Sequence, residues 1–133
     1  MQILFLVGRI LYGGFMIHAG YNHFRHLNRM SGYVAAKGVP APKLAVGGTG
    51  VLLLLGGLSI LLGVAVPIGV LLLVVFLAGT TPTMHAFWAD ADPMVARNNR
   101  THFLKNLALL GAALAFLAVQ QPWAYSLGIR IAL

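Results

Sequence analysis

The stretch VLLLLGGLSILLGVAVPIGVLLLVVFLAGT, residues 51–80, decides the fold. It carries no charged residue, and a helix needs about 20 apolar residues to cross a hydrocarbon core. The run therefore reads as the inner part of two spans, residues 44–66 and 67–89, that meet at VAVP. Pro67 suits the first turn of a new helix and leaves room only for a tight reversal, so these two spans are expected to be antiparallel neighbours.

Outward from this hairpin, residues 3–24 and 102–120 are apolar enough for two more spans. The chain has 133 residues, 59% hydrophobic and 8% charged, with a mean hydropathy of +0.87. A soluble domain carries about a quarter charged residues, so the expected fold class is all-α, an up-down four-helix bundle integral to a membrane. The whole chain forms one membrane domain. No basic segment or small-residue cleavage site marks the first span as a signal peptide, and it is expected to be retained.

Polar loops are expected at residues 25–43 and 90–101. Within the first, Met30, Tyr33, Val34 and Lys37 suit a short interfacial amphipathic helix ended by Gly38. The formal net charge of +7 is concentrated in these loops, with Arg25, Arg29, Lys37, Lys43, Arg97, Arg100 and Lys105 on one side of the membrane. Arg9, expected to snorkel, and Arg130 lie on the other. The positive-inside rule places the basic side in the cytoplasm and both termini outside, and it accounts for the basic charge without a nucleic-acid partner. In the tail, residues 121–133, Trp123 and Tyr125 are expected to anchor at headgroup level.

Association of helices in lipid depends on close backbone approach and polar contacts. Gly47, Gly48, Gly50, Gly56, Gly57 and Gly63 supply such a face in the second span, and Ala108 with Ala112 and Gly111 with Ala115 supply one in the fourth. Pro82 removes a backbone donor within the third span and is expected to kink it, with Thr80, Thr81 and Thr83 nearby to satisfy freed groups.

Three polar stripes converge on the basic leaflet. The first span ends with His18, Tyr21, Asn22 and Arg25 on one face; the third carries Thr81, His85 and Trp88; the fourth begins with His102, Lys105 and Asn106. His18 should lie about 10 Å deeper than Arg25, where an ionisable group needs a partner or a cavity. The expected ligand-binding set is His18, Asn22, His85, Trp88, His102, Lys105 and Asn106. His23 and His26 read as interfacial.

Cysteine is absent, which excludes thiolate chemistry and cysteine-bound clusters. Neither HxxxH nor HExxH spacing occurs, so no metal site is expected and the pattern argues against haem. No phosphate loop, nucleophile elbow or intramembrane carboxylate pair appears.

The segments GYNHF, YVAAKGVPAP, MHAFWADADP and HFLKNLALLGAALA resemble the DoxX family of small bacterial membrane proteins. The resemblance spans about Gly8 to Ala115, with His-x-Phe-Trp followed by Phe-x-Lys-Asn as its most specific part. It implies a four-helix bundle of the bacterial inner membrane, assigned by similarity to an oxidoreductase role beside quinone-linked systems. The matching positions are Asn22, Lys37, Gly38, Pro40, His85, Phe87, Trp88, Phe103, Lys105 and Asn106. Where many members have lysine after the asparagine, this chain has His23.

Two functions follow as expectations. In the first, the cluster holds a quinone head group: His85 and Asn106 bond its carbonyls, Lys105 stabilises negative charge and Trp88 stacks on the ring. The chain has no intrinsic cofactor in this reading, and its electrons come from a partner subunit or a soluble donor. In the second, the bundle is a non-catalytic scaffold or accessory subunit in a homo- or hetero-oligomer, and the polar cluster holds helices together.

Overall fold

The computed structural model describes residues 1–127, and all its regular elements are helical. They are α1 (Gln2–Arg25), α2 (Leu27–Ala36), α3 (Pro42–Leu62), α4 (Val66–Met84) and α5 (Pro93–Leu117), with a 3-10 turn at Phe87–Ala89. Arg130 and the end of the tail lie outside the described residues.

Three segments are long and apolar enough to cross a membrane: Gln2–Arg25, Pro42–Leu62 and Val66–Ala89. The molecule is a helical membrane protein. The reversal between α3 and α4 is as tight as Pro67 implies. Gly63 ends α3 in the left-handed region at φ 67°, Ala65 precedes α4 at φ 48°, and the Ser59 hydroxyl donates to the Val64 carbonyl at 2.6 Å. Between α1 and α3, α2 forms where the amphipathic pattern places it, and Gly38 follows it at φ 79°.

Two boundaries differ from the sequence reading. Hydropathy marks where a helix becomes apolar, and α5 starts nine residues earlier than the expected 102 because Asp92 caps it. The Asp92 carboxylate accepts from the amides of Met94 at 2.8 Å and Val95 at 3.3 Å, and Pro93 occupies the first turn. Residues 93–101, expected as loop, are therefore helix. The helix α4 runs past Pro82 but stops at Met84 instead of continuing to residue 89, with Thr83 donating to the Gly79 carbonyl at 2.7 Å.

α3 is the central helix, packed against α1, α2 and α4, while α5 packs on α4. Glycines set the closest approaches. A Cβ on Gly13 would lie 2.8 Å from the Gly57 carbonyl oxygen, and one on Gly57 would lie 2.9 Å from that of Gly13. One turn pair further, Gly20 faces the Gly50 carbonyl in the same way, while Gly56 and Gly69 close the α3–α4 contact. Gly47, Gly48 and Gly111 face open space; of the small residues on α5, Ala108, Gly111 and Ala115 are exposed, while Ala112 packs partly against the core beside the buried Ala113.

Arg9 does not snorkel. Its guanidinium is fully buried and donates to the carbonyls of Ile60 at 3.1 Å, Leu61 at 2.8 Å and Ala124 at 2.7 Å. These include carbonyls of the last turn of α3, which have no intrahelical partners and sit at the negative end of the helix dipole. Trp123 folds inward over the same guanidinium, 5.2 Å away, and packs edge-on to Phe5 at 4.9 Å. Its indole donates to the Val119 carbonyl at 3.2 Å, so Trp123 is core and not a headgroup anchor. Tyr125 is exposed.

Gly13→Ala should lower stability by about 1–3 kcal/mol through overpacking, whereas Gly47→Ala, with nothing near its Cβ, should be neutral or stabilising. Thermal unfolding in detergent distinguishes the two. Arg9→Met should cost about 3 kcal/mol by stranding buried carbonyls, and limited proteolysis should then release the tail beyond Val119.

Candidate functional site: a cavity beneath the interfacial helix

Because α1 lies tight against α3, it cannot also lie tight against α5 along its whole length. Near the Arg9 end side chains bridge the gap: the Tyr12 hydroxyl donates to the Leu109 carbonyl at 2.9 Å, and Tyr12 packs edge-on to Phe116 at 5.1 Å. Toward the basic loops nothing as large fills it. A cavity of about 480 Å³ opens there, bounded by α1, α3, α4 and α5 and covered by Met30, Tyr33 and Val34 of α2. This size and mainly apolar lining suit a small molecule.

Of the residues expected at the site, His85, Lys105 and Asn106 line this cavity. His18, Asn22, Trp88 and His102 do not. His18 and Asn22 pair on the outer surface of α1, with the Asn22 amide donating to His18 Nε2 at 3.1 Å. Trp88 is 63% exposed because α4 ends before it, and the 3-10 turn instead packs Phe87 and Trp88 against Phe103 at 5.4 and 5.8 Å. The aromatic positions of the sequence motif thus join the turn to α5.

His23 takes the inward position that His18 was expected to hold. The buried face of α1 runs through Arg9, Tyr12, Gly13, Met16 and Gly20, and His23 is its next member. The imidazole Nδ1–H donates to the Ala19 carbonyl at 2.8 Å, and the ring meets Phe76 edge-on at 5.9 Å. Its signal in the sequence was the small-residue face of α1, continued by one turn.

His85 is held by a chain of polar side chains. Asn99, itself buried, donates from its amide nitrogen to an Asp90 carboxylate oxygen at 2.8 Å. Because a carboxylate only accepts, this bond fixes the amide orientation and turns Asn99 Oδ1 toward His85 Nδ1 at 3.2 Å. His102 stacks on the His85 ring at 5.1 Å, and Lys105 Nζ lies 3.5 Å from His102 Nδ1 and 5.6 Å from the centre of the Phe15 ring. Both aspartates are thereby committed, Asp90 to Asn99 and Asp92 to the cap, and among the described residues no carboxylate lines the cavity.

Asn106 is 7% exposed and lines the cavity wall. Thr81 is likewise buried, its hydroxyl unpartnered on the core face of α4. Among the described residues no group of three metal-binding side chains occurs.

A helical membrane bundle with a mainly apolar, donor-bearing cavity under the short helix α2 is the class defined by these features. The chain belongs to the DoxX family, whose model matches residues 4–86. The match covers α1 to the end of α4 and stops before the Phe-x-Lys-Asn segment of α5. Comparison with curated proteins and with solved structures returned no match.

Asn99→Ala should release the 3-10 turn from α5. Amide hydrogen exchange over residues 85–90 should accelerate about tenfold, the equivalent of ~1.4 kcal/mol, while protection in α3 stays unchanged.

Proposed function

We propose that this protein binds a lipophilic small molecule with a quinone-type ring in the cavity beneath α2, as the membrane component of a quinone-linked redox system. Asn106 carries the reading. Its amide, on a residue 7% exposed at the cavity wall, can both donate to and accept from a polar head group. Lys105 adds a cation at the same mouth, and Phe15 and Phe76 offer aromatic faces among the lining side chains. The tail of such a ligand lies among Met16, Val46, Leu52 and Leu53. Binding, orientation and exclusion of water are the work of this chain, and electrons come from a partner subunit or soluble donor.

In this reading α5 forms the fourth crossing, with Arg97 and Arg100 at the surface. The basic loops face the cytoplasm of a bacterial inner membrane and both termini lie outside. A second reading, an accessory subunit that stabilises a larger assembly, draws support from the outward face of α5, where Gly111 leaves room for another helix.

Chromatography of lipids extracted from the purified protein tests the first reading. Quinone should co-purify with the wild type and fall several-fold in Ala19→Phe, Ala45→Phe and Lys105→Met at unchanged melting temperature. A folded wild type that carries no quinone, even after reconstitution with quinone-containing lipid, would leave the accessory role.

A further inference from the structure

We infer that the cavity takes a hydroxyl-bearing ring, a phenol or dihydroxybenzene on an apolar tail, in preference to the corresponding carbonyl form. The inference rests on the ligand-site reading above and derives from two imidazole tautomers. A backbone carbonyl can only accept, so the contact of His23 Nδ1 with the Ala19 carbonyl at 2.8 Å places the ring hydrogen on Nδ1. For His85 the same follows from Asn99, whose amide nitrogen is spent on Asp90 and whose oxygen therefore accepts from Nδ1. In each neutral ring Nε2 is left as an acceptor, and neither Nε2 has a partner among the described residues.

The cavity wall therefore carries two acceptor imidazoles, from α1 and from the end of α4, beside the Lys105 ammonium, which only donates, and the Asn106 amide, which donates and accepts. A carbonyl oxygen accepts and satisfies only the donors. A hydroxyl does both, donating its hydrogen to an imidazole Nε2 and accepting from Lys105 or Asn106 through its lone pairs. No carboxylate lies in the lining among the described residues, so a ligand hydrogen is received by an imidazole Nε2, by the Asn106 oxygen or by a lining hydroxyl such as that of Thr80.

The test uses the full chain in lipid nanodiscs at about pH 8, above the ordinary imidazole range near 6.5. Three probes share one short alkyl tail: a benzoquinone, its hydroquinone kept under anaerobic conditions, and the dimethyl ether of that hydroquinone, which keeps the ring and has no hydroxyl hydrogen. The hydroquinone should bind at least about tenfold more tightly than the other two, a difference of ~1.4 kcal/mol. His23→Phe and His85→Phe should each reduce that ratio. Equal affinity for quinone and hydroquinone, or an ether that binds as tightly as the hydroquinone, overturns the inference and leaves the ligand-site reading standing. If none of the three probes binds, both fall.

Discussion

The contact between α1 and α3, where Gly13 meets the Gly57 carbonyl and Gly20 meets that of Gly50, is the constraint on which the rest of the structure depends. Lipid supplies no hydrophobic force between helices, so backbone proximity has to come from residues without side chains. Once α1 is committed to α3, its separation from α5 is set by what fills the remaining space. Large rings, Tyr12, Phe5, Phe116 and Trp123, fill it at one end, around a guanidinium that caps α3. At the other end the space stays open, and α2 covers it.

Burial in such a molecule is governed by satisfaction of polar groups, and the two ends meet it differently. Every guanidinium nitrogen of Arg9 donates to a backbone carbonyl, so it is a structural cation. Around the cavity the polar groups are half paired. His23 and His85 each spend one nitrogen on the protein and keep one, and Asn106 adds an amide at the cavity wall. A cavity wall that keeps imidazole nitrogens free beside an amide and an ammonium has the chemistry of a binding site.

Much of the fold was legible in the sequence because it is written in hydropathy and in turn residues. The α3–α4 hairpin follows from residues 51–80 with Pro67, and α2 follows from Met30, Tyr33, Val34 and Gly38. What hydropathy missed was helix that is polar: residues 93–101 belong to α5, and the signal was the Asp92-Pro93 cap rather than any apolar run. The same bias applied to the site. Polar residues were sorted into stripes by their own spacing, which selected His18, whereas the inward face of α1 is marked by its glycines and leads to His23. Trp88 shared a helical stripe with His85 only if α4 continued, and it does not. Arg9 was read as a snorkelling residue because a single sequence does not reveal that the tail returns to meet it. His85, Lys105 and Asn106 were legible because they flank the polar connection between the third and fourth apolar stretches, which brings them to one end of the bundle.

Nitrogen-15 NMR of the histidine side chains in lipid bilayers, assigned by single His→Gln variants among the five histidines, is the most direct test of this account. His23 and His85 should both show a protonated Nδ1 and a bare Nε2 in the neutral ring. Protonation on Nε2 at either residue would mean that the Ala19 or Asn99 contact does not hold that ring. The arrangement of acceptors described for the cavity would then be wrong.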